Sequence, residues 1–278
     1  MLASGRPDMP FCLCWANENW TRNWDGEANH VLLEQRHSLA SDRDFFRDVL
    51  PYLRDARYIR YEDKPVLLVY RADRLHDPRA TTEAWRRMAR EAGLPGLHLC
   101  AVETAGFGDP RTRGFDALVE FPPNSYETAD IRGSVPDLDP RFRGRIADYR
   151  EIRDLSLRRI AESFPLHRGV MTPWDNTPRK QWFSTVFLHA DPEAYRDWLA
   201  GLRRTCGRRE SLLFINAWNE WGEGAHLEPD QARGFALLEA TSAALAAEAR
   251  TSAPRREPSG PSSEIKPGRA VPRAREGT

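Results

Sequence analysis

Glu220 and Glu223 stand three residues apart in Asn219-Glu-Trp-Gly-Glu-Gly224, a stretch crowded with indoles and glycines. Two carboxyls can make or break a glycosidic bond when one is held protonated to donate to a leaving oxygen and the other is ionised to remove a proton. In a straight strand, residues three apart point to opposite faces, so the backbone must bend near Trp221 and Gly222 for both acids to share one pocket. Gly222 and Gly224 supply that freedom. Two other readings use the same residues. Acids so placed can cap a helix or pair with arginine, and Glu223-Gly-Ala-His226 has the E-x-x-H spacing of carboxylate metal sites. That spacing works only on a helix, which the glycines and Pro229 disfavour.

Trp218, Asn219, Trp221, His226 and Glu228 surround the two acids in sequence. A second constellation lies in Trp15, Asn17, Glu18, Asn19, Trp20, Arg22 and Trp24. Sugars present apolar C–H faces rimmed by hydroxyls, so indole platforms beside amides, acids and guanidinium groups match them physically. A tryptophan-rich loop closing one end of a fold would use the same residue types. Trp174, Asp175, Asn176 and Arg179 repeat the pattern, and Tyr70, Glu103 and Glu120 add single polar groups at apparent strand ends. Glu103 and Glu120 serve equally well as ligand-binding acids or as ion-pair partners of the many arginines.

Short apolar runs at Pro10 to Cys14, Pro65 to Tyr70, Gly96 to Val102, Ala117 to Phe121, Gly169 to Thr172 and Leu212 to Trp218 read as strands buried on both faces. Amphipathic segments separate most of them. Ser41 is the expected cap of the first helix, with Pro51 disturbing its last turn, and Thr81 or Thr82 caps the second. Arg145 to Ser163 reads as a third helix. Asp191-Pro192 opens a fourth, and Asp230 a final Ala-rich one. Alternating strands and helices predict an α/β fold with a parallel sheet. Because nearly every strand ends in a polar cluster, the pattern favours the loop-lined carboxyl face of a (β/α)8 TIM-like barrel over a doubly wound sheet. Neither a Walker loop nor a G-x-G-x-x-G follows a strand.

The 278 residues suffice for one large domain, expected over 1–250, and 41 Lys plus Arg balance 41 Asp plus Glu. That balance gives no bulk field toward nucleic acid or anionic membrane. Met1 to Asp8 lacks the apolar core of a signal peptide and no later segment approaches a membrane span, which predicts a cytoplasmic protein without stable membrane insertion. Cys12, Cys14, Cys100 and Cys206 lack paired redox or zinc spacings and read as buried structural thiols. From Thr251 to Thr278 the composition turns to Pro, Ser, Gly, Arg and Glu, and this tail is expected to be disordered.

Taken together, FCLCWANENWTRNWDG, DKPVLLVYR, GFDALVEFPP, PWDNTPRK and FINAWNEWGEGAHLEPD resemble the bacterial WbsX-type glycosyltransferases and the related glycoside hydrolase family 99. The resemblance implies a barrel enzyme of lipopolysaccharide or other surface-polysaccharide biosynthesis acting on mannose-like residues. It further implies that Glu220 deprotonates a sugar 2-OH to form a 1,2-anhydro sugar. Glu223 then assists the leaving group and activates water or an acceptor. The implied partner is a glycan or activated sugar; the scheme requires no metal or nucleotide cofactor. The resemblance begins at the family's third strand, so the chain is expected to be truncated by two βα units. A silent glycan-binding fragment and a nucleotide-sugar transferase remain the alternatives.

Overall fold

A computed structural model describes residues 2–22, 27–104, 107–206 and 212–246. The six expected strands pair into one sheet: β1 (Leu13–Trp15), β2 (Lys64–Val69), β3 (His98–Val102), β4 (Ala117–Val119), β5 (Leu166–Met171) and β6 (Leu213–Asn216). They hydrogen-bond in that order and every neighbouring pair is parallel. Strand order that follows chain order without reversal is the winding of a barrel, whereas a doubly wound sheet reverses at its switch point. Among the described residues β1 and β6 lie at the two ends of this order and do not pair with each other, so the α/β fold is a part-barrel. The segment expected to be a disordered tail, and Trp24, lie outside the described residues.

Alternation along each strand explains why the runs are apolar throughout. In β2, Leu67 and Val69 face the helices, while Val66 and Leu68 face the concave interior. β3 repeats this, with Leu99 and Ala101 outward and Cys100 and Val102 inward. The outer layer is built by α1 (Leu39–Leu53) and α2 (Pro78–Glu91), whose Phe46 and Trp85 are fully buried. Burying a side chain of this size contributes about 1.5–3 kcal/mol. A second cluster joins α3 (Tyr149–Arg158), α4 (Pro192–Thr205) and α5 (Ala236–Ala246) to β5 through Trp198, Leu199, Ile152, Leu237 and Met171.

Several expected boundaries move. Ser38, not Ser41, caps α1; Ser41 closes the capping box from the third helical position, and Pro51 is accommodated inside the last turn. Asp77 caps α2 by accepting from the Ala80 amide, with Pro78 in the first turn. Thr81 instead donates to the buried Asp42 carboxylate at 2.6 Å. The segment read as one helix from Arg145 divides: Arg145–Asp148 pairs in parallel with Thr185–Leu188, and Asp148 then caps α3. Asp191 caps α4 as expected, but the last helix starts at Ala236, and Asp230 holds a turn with Gly234.

Candidate active site

The two-stranded ladder Arg145–Asp148/Thr185–Leu188 positions the loop after β5. Phe187 donates its amide to the Trp174 carbonyl at 2.9 Å, and the Asn176 side chain accepts from Thr185 N at 2.6 Å. From there the loop reaches the segment after β6. Asp175 N donates to Glu223 O at 2.9 Å, and a Cβ on Gly224 would sit 2.6 Å from the Asp175 carbonyl oxygen. Gly224 is in the left-handed region at φ 58°, so it meets both demands, close approach and positive φ. The bend expected after Asn219 is therefore present. Asn219–Glu220 pairs antiparallel with Ala225–His226, and Trp221–Glu223 forms a single 3-10 turn between them.

That turn brings both carboxylates onto one guanidinium. Arg179 donates from Nη2 to Glu220 Oε1 and from Nη1 to Glu223 Oε1, each at 2.8 Å. Gly222 lies beneath the clasp, where an added Cβ would stand 2.9 Å from Nη2. The two acids differ in exposure, 44% for the Glu220 side chain and 25% for Glu223. Burial pushes the Glu223 carboxyl above its ordinary range; Arg179 opposes that shift, Glu220 reinforces it and Lys180 opposes it. The less exposed acid is thus the one biased toward keeping its proton.

The concave face of the sheet carries an open cavity of about 520 Å³, lined by Tyr70, Phe121, Phe214, Trp218 and Cys14 and reached by Glu120, while Glu220, Glu223 and Arg179 stand outside its lining. Tyr70 packs edge-on against Phe121 with ring centres 5.7 Å apart. Burial raises the Tyr70 hydroxyl, Glu18 adds to the effect, Arg71 opposes it, and Glu223 and Cys14 reinforce it. Trp218 and Trp221 are exposed on the same loop. Trp221 stacks on His226 at 4.0 Å and donates to Glu228 at 2.9 Å, while His226 meets Asp230 through Nε2 at 2.9 Å. The hydrogen bond from His226 holds the Asp230 carboxyl below its ordinary range. His226 is thus engaged by Asp230 and Glu223 by Arg179.

Several of the other expected binding residues are held by neighbours within the fold. Trp15 stacks on Phe45 at 4.0 Å and leans on Trp85, on the helical side of β1. Asn17 is fully buried and exchanges two hydrogen bonds with the Arg71 backbone at 2.8 and 2.7 Å. Asn19 accepts from Gln35 N, and Glu18 is paired with Arg71 at 2.6 Å. Trp20 and Arg22 belong to the strand that pairs with Glu27–Leu33, where Trp20 is exposed. Asp175 caps Thr177, and the Trp174 indole nitrogen is buried with no partner in the structure. Glu103 and Glu120 both take part in ion pairs, and Glu120 also lines the cavity. Glu103 takes both terminal nitrogens of Arg159, and Glu120 accepts from Arg168 at 2.9 Å, from Gly169 N at 2.8 Å and from Tyr126.

Sequence reading missed Arg168 and Tyr126, which hold Glu120 at the cavity, and the wall residues Phe121 and Phe214. Gly169 carried the available signal: a glycine inside a strand marks close backbone approach, and a Cβ there would lie 2.4 Å from the Glu120 carbonyl.

A family model described as Glycosyltransferase WbsX matches residues 1–241. Two relatives from strains of Xanthomonas campestris pv. campestris, each named Uncharacterized protein WxcX, are 44% identical over 245 residues. The alignment covers 85% of this chain and 35% of theirs, so the chain spans about a third of the length of the curated relatives it matches. A solved Glycoside hydrolase-like protein shares the fold, with TM-score 0.50 and 15% identity over 72% of this chain and 59% of that one. The GH99 endo-alpha-mannosidase from Bacteroides thetaiotaomicron gives a TM-score of 0.49 and 15% identity over 79% of this chain and 66% of its own.

Proposed function

The chain belongs to the WbsX glycosyltransferase family, and from that premise we propose that it is a carbohydrate-active enzyme of surface-polysaccharide metabolism that acts on glycosidic bonds of mannose-like residues through Glu220 and Glu223. The observation that supports this reading most is the Arg179 clasp, which gathers both carboxylates on the loop that follows Trp218, a residue of the apolar cavity wall.

In the proposed reaction Glu220, the more exposed acid, takes the proton of the sugar 2-OH. The resulting oxygen attacks C1 and forms a 1,2-anhydro sugar as the bond to the leaving group breaks. Glu223, biased toward protonation by burial, delivers its proton to the leaving oxygen. In the second half water or an acceptor hydroxyl attacks C1, Glu223 takes its proton, and Glu220 returns a proton to O2. Water gives hydrolysis and a sugar hydroxyl gives transfer. Exposed Trp218 and Trp221 offer stacking faces for the sugar C–H surfaces.

The test compares Glu220→Gln and Glu223→Gln on an activated α-mannoside, with and without acceptor glycan, while binding is followed by calorimetry. Loss of about 10²–10⁴-fold in turnover with binding retained is expected of an acid–base pair. Unchanged turnover in both variants overturns the two-glutamate mechanism. Glycan binding without turnover in the unaltered protein supports a binding role instead.

A further inference from the structure

The interior of the part-barrel also holds three donors unrelated to the carboxylate clasp. His98 opens β3, Cys100 follows two residues on and so shares its inward face, and His167 comes from β5 across the intervening β4. Nε2 of His98 lies 2.8 Å from Nε2 of His167, and one ring nitrogen of each histidine and the Cys100 Sγ all lie within 4.8 Å of one another. All three side chains are buried. The inward residue of β4 beside Cys100 is Ala117, small enough to let side chains from β3 and β5 meet over it. Tyr61 stacks on His98 at 4.3 Å and meets His167 edge-on at 5.2 Å, which orients both rings.

We propose that His98, Cys100 and His167 form a three-coordinate site for monovalent copper. Two imidazole nitrogens and one thiolate make a soft donor set, and such sets select copper or zinc over hard cations. Charge decides between those two. A single thiolate neutralises Cu⁺, whereas Zn²⁺ would leave one uncompensated positive charge in a buried site, which is costly. The neighbouring acid, Asp116, is already engaged by Arg86 at 2.7 Å and by the Leu99 amide at 2.7 Å. The donor count agrees, because three ligands suit Cu⁺ without a fourth.

Proton movements follow from the hydrogen bonds. As the rings stand, the Leu212 amide donates to Nδ1 of His167 at 3.3 Å, so the ring proton is on Nε2 and is directed at His98. Ligation through Nε2 moves that proton to Nδ1, and the Leu212 amide must turn away. Cys100 releases its thiol proton to solvent as one Cu–S and two Cu–N bonds form, with no change of oxidation state. Because the ligating forms are neutral imidazole and thiolate, binding requires a metal strong enough to displace the thiol proton. The site is independent of the reading given to Glu220 and Glu223.

The test titrates the full chain anaerobically with Cu⁺ against a competing chelator, followed by X-ray absorption at the copper edge. One equivalent retained per chain, with two nitrogen and one sulfur scatterer, is expected. Cys100→Ser and His167→Gln should each weaken retention by about 10-fold or more. No retention against the chelator, copper without a sulfur neighbour, unchanged retention in both variants, or preferential uptake of Zn²⁺ each overturns the assignment. Where a variant fails to fold, the scattering shell of the unaltered protein decides.

Discussion

Arg179 holds Nη1 2.8 Å from Oε1 of Glu223, so the acid that burial pushes toward protonation is also the one a guanidinium pulls toward ionisation. The two influences act on the proton that the proposed reaction must deliver. Activity that needs protonated Glu223 is lost as pH rises through its pKa. Removing the cation in Arg179→Gln raises that pKa, so the basic limb of the kcat/KM profile should move to higher pH. Lost positioning should lower kcat by about 10–100-fold at neutral pH. A pH–rate series on the variant checks this, and a basic limb shifted downward would contradict it.

Glu223 should also limit the stability of the fold. Its folded-state pKa is raised, so between the unfolded value and the folded one the native chain binds more protons than the unfolded chain. Stability therefore falls as pH rises through that window, and the penalty is complete above it. Glu223→Gln removes the ionisable group. Its Tm at neutral pH should exceed that of the unaltered protein, with the difference vanishing below the unfolded carboxyl range. Thermal melts across pH 3 to 8 measure it.

Gly222 and Gly224 separate function from folding within one short turn. A methyl at Gly222 meets the Arg179 side chain, at 2.9 Å from Nη2 and 3.2 Å from Nε, and a side chain can swing aside. Gly222→Ala should keep its unfolding free energy within about 0.5 kcal/mol of the parent while losing activity as the clasp opens. A methyl at Gly224 meets the Asp175 backbone at 2.6 Å in a left-handed conformation, and neither can yield cheaply. Gly224→Ala should cost about 1–3 kcal/mol in urea unfolding.

The six sheet strands were legible as continuous apolar runs, and the inner ones are buried on both faces, as Val66 to Val69 and Leu99 to Val102 show, whereas edge strands β1 and β6 are only partly buried and Cys14 is exposed. The bend between the two glutamates was legible too, since residues three apart cannot share a strand face and two glycines stood ready to turn. Arg145–Asp148 was not legible. It is a four-residue strand with charges at both ends, placed directly before a helix, so its pattern merges with the helical one. The donors His98 and His167 were equally hidden, because a contact between side chains on β3 and β5 depends on how the sheet curls and leaves no local spacing to read.

Glu120 should behave as a structural acid. Its carboxylate is buried and accepts from Arg168, the Gly169 amide and Tyr126, with Arg159 at 3.4 Å. Breaking a buried pair leaves the surviving cation uncompensated, so Glu120→Ala should destabilise by about 3–5 kcal/mol in urea unfolding. The paired change Glu120→Leu with Arg168→Met should recover much of that loss. A Glu120→Ala variant of parental stability would contradict the ion-pair role.

Trp15 and Trp218 carry the same indole and should fail in opposite ways. Trp15 is stacked 4.0 Å from Phe45 on the helical side of β1, so its truncation opens the outer core. Trp15→Ala should cost about 3 kcal/mol of stability and leave the glycan affinity of the folded fraction unaltered. Trp218 is 53% exposed at the cavity edge, and few core contacts depend on it. Trp218→Ala should melt with the parent and weaken glycan binding by about 1–2 kcal/mol, the scale of a lost aromatic contact at a recognition site. Parallel melts and calorimetric titrations separate the two. Equal loss of affinity in both variants would mean that β1 also turns a surface toward the sugar.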